Sequence, residues 1–183
     1  ILLYKLGDAF MGVMTNPFLL EIGFTKQEIA TVVKLYGVIA TIVGSVIGGS
    51  MVFRMGTAKT LWICGMFHML TNLMFVAQSY MGHDVAFLAL TISLENISGG
   101  MGTTAFVAFM GSLTRTQFTA TQYALLSSFA AFGRTWLSTP AGWFAEIMGW
   151  AGFFTLATAL ALPGLAVLWW LQRQNIIENH EKN

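Results

Sequence analysis

Six long apolar runs, at 1–20, 28–52, 60–79, 85–111, 121–145 and 151–171, leave this chain few folds to choose from. A helix crossing a hydrocarbon core about 30 Å thick needs roughly 20 such residues, and a chain of this length holds about six with short connections. Strands of a membrane barrel would be about ten residues long and alternate apolar with polar, whereas these runs are continuous. Only 9% of the residues are charged and 56% are hydrophobic, where a soluble domain carries about 25% charged residues. A water-soluble enzyme is therefore excluded unless something apolar covers almost its whole surface, and lipid is that cover. The expectation is an all-α transmembrane bundle over 1–171, followed by a polar tail at 172–183.

Each gap holds the polar or turn residues that a water-exposed connection needs: 21–27, 54–59 with Arg54, Gly56 and Lys59, 79–84, 112–120 with Arg115, and 146–150. Basic residues accumulate in cytoplasmic loops. With six crossings, Lys5, Arg54, Lys59, Arg115, Arg173 and Lys182 fall on one side, and the other side has only Lys26 beside Glu21, Asp84 and Glu146. Both ends of the chain are thus expected in the cytoplasm. A net charge of +1 offers no basic surface to nucleic acid, and the single cysteine, Cys64, allows no intrachain disulfide. The opening Ile1, with Lys5 and Asp8 inside the first apolar run, does not fit a secretory signal and reads as a fragment that begins within a helix.

Half the chain echoes the other half. Phe24-Thr25 recurs as Phe118-Thr119, Ala30 as Ala124 and Gly48 as Gly142, at a common offset of 94, and the pair Gly49…Gly56 has a counterpart in Gly142…Gly149. Thr25 with Glu28 and Thr119 with Gln122 both fit a capping box, in which side chains satisfy the free N–H groups of a helix start. An offset of three spans reverses orientation across the membrane. Inverted three-helix repeats of this kind build each six-helix half of a major-facilitator transporter.

Ionisable groups inside a bilayer are expensive and should face protein or water. Lys5 and Asp8 lie in the first run, Lys34 in the second, Glu95 in the fourth and Arg134 in the fifth, with none in the third or sixth. This division sorts the helices into a lining set and a supporting set. At a rise of about 1.5 Å per residue, Asp8, Glu95 and Arg134 reach the middle of the core and Lys34 its outer part. Asp8 aligns with Thr15 and Asn16, followed by Pro17, which invites a local break. Glu95 shares its face with Thr91, Ser98, Gly99 and Gly102, and Arg134 with Ser127 and Ser138. Lys5 and Asp8, at i and i+3, can neutralise one another. For Asp8, Glu95 and Arg134 two readings stay open, a buried ion pair between helices or a polar cavity that binds an anionic or zwitterionic solute and exchanges a proton.

The second run places Ala40, Gly44 and Gly48 on one face and Gly37, Thr41, Ser45 and Gly49 on the next, a pattern that lets helices approach closely. His68 and Asn72, at i and i+4 on a supporting helix, fit an interhelical hydrogen bond better than a relay. Trp143, Trp150, Trp169 and Trp170 near the run ends fit an aromatic belt. Gly99-Gly100-Met101-Gly102 has no preceding strand, which argues against a phosphate loop. No spacing suggests a metal site, a cofactor or an enzyme's nucleophile.

Taken together, Tyr4-Lys5-Leu6-Gly7-Asp8-Ala9-Phe10, Leu94-Glu95-Asn96-Ile97-Ser98-Gly99-Gly100-Met101-Gly102, Phe118-Thr119-Ala120-Thr121-Gln122-Tyr123-Ala124, Gly133-Arg134 and Pro140-Ala141-Gly142-Trp143-Phe144 resemble AmpG-type muropeptide permeases. The similarity extends over essentially the whole chain and matches the second half of a family member. Gly49, Arg54, Gly56 and Lys59 are similar to the major-facilitator gating loop, although Phe53 stands where that loop usually has an acid. The resemblance implies proton-driven import of anhydromuropeptides across the inner membrane of Gram-negative bacteria for cell-wall recycling, together with a missing N-terminal six-helix half. It implies a cavity in which Arg134 and Lys34, helped by Asn16, Ser98 and Ser127, contact the substrate and Asp8 or Glu95 takes the proton. A carrier of another anionic solute or drug, or a non-transporting six-helix scaffold or channel, fits the same charges.

Overall fold

A computed structural model describes residues 6–112 and 119–173, and every element among them is helical. Lys5, Arg115, Phe118, Lys182 and most of the expected polar tail lie outside the described residues. Helix α1 (Leu6–Glu21) runs through Pro17 without the expected break. After a turn at Gly23, Thr25 caps helix α2 (Lys26–Val32). Both halves of the capping box form: the Thr25 N–H donates to Glu28 Oε2 at 2.8 Å, and the Glu28 N–H donates to Thr25 Oγ1 at 3.2 Å. A single π-helical turn (Val33–Gly37) joins α2 to α3 (Val38–Met55), so that the helix continues from Lys26 to Met55. Such turns are uncommon and concentrate at functional sites.

Gly56 alone separates α3 from α4 (Thr57–Met81). Arg54 and Lys59 therefore stand on the last and first helical turns rather than in a loop, both exposed. Helix α5 (Val85–Ser112) starts where the Asp84 carboxylate accepts the Phe87 N–H at 2.9 Å. Helix α6 (Thr119–Ser138) is followed at Thr139-Pro140 by α7 (Ala141–Ala159) and then by α8 (Leu162–Arg173). The run expected at 121–145 is thus divided between α6 and α7, because Pro140 has no N–H to continue the ladder. Near the connection expected at 146–150, Gly149 leaves the helical region with φ 66° and ψ 170°, much as Gly56 does with φ 82° and ψ 163°. Glycine alone occupies that region readily.

Four segments of the described residues are long and apolar enough to cross a membrane: Lys26–Met55, Thr57–Met81, Val85–Ser112 and Ala141–Trp170, the last containing the Gly149 break. Two apolar clusters fill the interior. One is built on Phe18, Phe75, Phe153 and Phe154 and joins α1, α4 and α7; Phe18 and Phe154 meet edge to face at 4.8 Å. Trp150 packs into it, 5.2 Å from Phe18. The second gathers Leu61, Phe106, Met110 and Leu168. Between them, at 68–72 on α4 and 95–99 on α5, the packing turns polar.

Candidate functional site

Small residues bring α5 close enough to its neighbours to form this polar layer. Ala40, Gly44 and Gly48 are buried on α3, as their spacing predicts. A Cβ on Gly44 would overlap the carbonyl of Ile97, one on Gly48 would lie 2.7 Å from Met101 Cα, and one on Gly100 would lie 2.5 Å from the Thr41 oxygen. The α3–α5 seam is therefore backbone against backbone. It turns Glu95, Asn96, Ser98 and Gly99 toward α1 and α4.

His68 of α4 is the hub of what they meet. Its Nε2 lies 2.7 Å from Asp8 Oδ1 and its Nδ1 lies 2.7 Å from Ser98 Oγ. Ser98 Oγ also lies 2.8 Å from Thr71 Oγ1 and 2.8 Å from the main-chain oxygen of Glu95, a second acceptor for its one hydrogen. One residue from each of three helices is thus joined through a single imidazole. Asn96 works beside it: its amide N–H donates to Glu95 Oε2 at 3.0 Å, and its Oδ1 accepts from the Thr41 hydroxyl at 3.0 Å. Asn72, 1% exposed, has neither amide atom paired within the described protein, and it borders a cavity of about 210 Å³ with Asp8, Asn16, His68, Glu95 and Asn96. A second cavity, of about 290 Å³, lies on the α3 side, between Asp8, Thr41, Ser45, His68 and Glu95. Buried amides left unpaired are costly, so these walls suit a polar occupant.

The structure brings together Asp8, Asn16, Glu95 and Ser98 among the residues expected to form a site. Lys34 does not join them: it is exposed on the π-helical turn and lines neither cavity. Ser127, on α6, gives its hydroxyl to the main-chain oxygen of Ala124 at 3.0 Å. Arg134 lies on α6, and its side-chain placement lies outside the described residues. Gly49 sits on the α3 face toward α5, with Thr104 Cγ2 at 3.7 Å from where its Cβ would be. The division into lining and supporting helices fails at α4, which supplies His68 and Asn72. The interhelical hydrogen bond expected of His68 and Asn72 forms at His68, to Asp8 and to Ser98, and these bonds bring α4 into the lining. Asn96 was hidden by standing next to Glu95 in sequence, since adjacent residues do not share a helical face. No group of His, Cys, Asp and Glu among the described residues could hold a metal ion.

No family model matches the chain. Its sequence is similar to longer proteins. It is 41% identical over 171 residues to "Putative transporter AmpG 4" of Rickettsia conorii, covering 93% of this chain and 41% of that protein. It is 40% identical over 169 residues to "Anhydromuropeptide permease" of Escherichia coli K12, covering 92% of this chain and 34% of that protein. "Putative transporter AmpG 1" of Rickettsia bellii is 36% identical over 168 residues, covering 92% of this chain and 41% of that protein. The resemblance to AmpG-type permeases is borne out. The chain spans about two fifths or less of these relatives, which are named transporters and a permease rather than enzymes. Such names, with the long apolar helices, make this a multi-pass membrane segment.

Proposed function

We propose that the chain is the C-terminal six-helix half of a major-facilitator permease that imports anhydromuropeptides, sugars of the GlcNAc-anhydroMurNAc type with or without peptide. Import would be driven by the proton gradient across the bacterial inner membrane and serve cell-wall recycling, with both ends of the segment in the cytoplasm. The observation that carries this reading is the polar layer itself: Asp8, Asn16, His68, Glu95 and Asn96 surround cavities in the middle of long apolar helices. Groups so costly in lipid mark a solute or ion path. The conformational match of Gly56 with Gly149 supports the inverted repeat.

In this reading Arg134 and Lys34 contact the substrate carboxylates, Arg134 through its planar fork of donors. Asn16, Ser98 and Ser127 add neutral hydrogen bonds. Asp8 or Glu95 couples the proton, and Gly49, Arg54, Gly56 and Lys59 form the gate between the second and third spans. The test is uptake of labelled GlcNAc-anhydroMurNAc by the full-length protein. Glu95→Gln abolishes gradient-driven accumulation and leaves exchange measurable; unchanged accumulation removes Glu95 from coupling. Preferential uptake of a competing anion would replace the substrate while keeping the carrier.

A further inference from the structure

Asp8 and His68 border both cavities of the polar layer and also a third, of about 20 Å³, closed on its far side by Ala161 and Leu165. A group that reaches every compartment of a polar layer is placed to move a proton between them. What makes His68 fit is its pair of neighbours. A neutral imidazole has one N–H and one acceptor nitrogen, whereas an imidazolium has two N–H groups. Most surroundings suit one of these and leave the other short of a partner.

Here both are satisfied. The neutral ring donates from Nε2 to Asp8 and accepts the Ser98 hydroxyl at Nδ1, at 2.7 Å in each case. When a proton arrives at Nδ1, that nitrogen donates to Ser98 Oγ, and Ser98 turns its own hydrogen to the main-chain oxygen of Glu95, 2.8 Å away. The ring gains one proton and one positive charge, with both of its hydrogen bonds kept. Loss of the proton from Nδ1, or passage of the Nε2 hydrogen to the Asp8 carboxylate, returns it to neutrality. The other titratable group bordering the two larger cavities is Glu95 of α5. Against α4, α7 and α8 set the apolar Phe154, Ala161 and Leu165, and α3 sets no titratable residue into the layer among the described residues.

The geometry points to His68 as the proton carrier of the transport cycle, with Ser98 as the positioning residue that lets one site hold either protonation state. The inference rests on the permease reading and deepens it, replacing a lone carboxylate with an imidazole held against one. It is tested on the full-length transporter in proteoliposomes with labelled GlcNAc-anhydroMurNAc. In His68→Gln, counterflow without a pH gradient persists, while gradient-driven accumulation falls about a hundredfold, the lower range for loss of a positioned proton-transfer group. In Ser98→Ala, whatever accumulation remains has a pH profile moved about one unit to lower pH, because an unpartnered charged N–H costs more than an unpartnered nitrogen. Wild-type accumulation in His68→Gln overturns the assignment. So does equal loss of counterflow and accumulation in both His68→Gln and His68→Asn, the mark of a merely structural residue.

A second measurement needs no sugar. In the full-length protein with 15N-labelled histidine, the imidazole signal that disappears in His68→Gln is one that titrates between about pH 5 and 8. A His68 ring that keeps one protonation state across this range refutes the proposal. Absence of counterflow in the wild type would instead sink the permease reading, and the titration would still decide for or against His68.

Discussion

Helix α5 has two faces that do opposite things. Toward α3 it is locked: Gly44, Gly48 and Gly100 let the main chains touch, and there is no room for even a methyl group at these three positions. Toward α1 and α4 its contacts run through side chains, Ser98 to His68 and through His68 to Asp8, around cavities of about 210 and 290 Å³. A backbone seam is fixed by shape and has one solution, whereas hydroxyls, amides and an imidazole can trade partners without moving a helix. The rigid face keeps the adjustable face in register. A proton or solute can then change the state of the layer while α3 and α5 stay together.

The largest expected effect comes from forcing the locked face open. Gly44→Leu drives a branched side chain into the Ile97 carbonyl, and overpacking of this kind costs about 3 kcal/mol or more. The expected result is a collapse in the yield of monodisperse full-length protein after detergent extraction, with loss of all transport modes together. A well-folded Gly44→Leu variant with normal uptake would show that α3 and α5 are not held as a unit.

Much of the locked face could be read from the sequence, because close helix packing is a local rule. The four-residue spacing of Ala40, Gly44 and Gly48 predicts burial against a neighbour, and it is there. Thr25 and Glu28 announce a capping box, and both of its bonds form. The adjustable face was legible only in part. Asp8 and Glu95 stand out as charges in apolar runs, but which helix faces them depends on how six helices are arranged, and periodicity within one helix cannot supply that. The pair His68 and Asn72 predicts an interhelical hydrogen bond, and His68 forms it, but only the arrangement of the helices names its partners, Asp8 and Ser98. In the same way only the fold shows that Trp150, at a run end, packs against Phe18 and Phe154.

Asn96 stands where the two faces meet, and it gives the second expected effect. Its Oδ1 accepts from Thr41 on the α3 side and its amide donates to Glu95 on the cavity side. Asn96→Ala removes both of these bonds and the one its amide gives to the Ile92 carbonyl at 2.8 Å, at about 1–2 kcal/mol of stability, read as a lowered thermal midpoint of the full-length protein. If the faces are distinct in role, transport suffers more than stability, because Glu95 loses one donor to its carboxylate. The expected readout is a raised KM for GlcNAc-anhydroMurNAc in a protein that still folds. A lower midpoint with unchanged uptake would assign Asn96 to the seam alone.

The smallest expected effect on stability is the one that best separates packing from gating. Gly49 lies on the face next to the Ala40, Gly44 and Gly48 stripe, and a Cβ there would meet only Thr104 Cγ2, at an ordinary 3.7 Å. The glycine is helical and half-exposed, so nothing in its backbone demands glycine. Alanine in a helix is favoured over glycine by up to about 1 kcal/mol, and Gly49→Ala is expected to leave the thermal midpoint unchanged or slightly raised. Gly48→Ala, one residue away, puts its methyl 2.7 Å from Met101 Cα and should lower it. Since Gly49 has no packing need, any transport defect in Gly49→Ala must come from movement at the α3–α4 junction. Slower exchange in a protein of undiminished stability would support the gating role expected for Gly49, and normal exchange would confine that role to Arg54, Gly56 and Lys59.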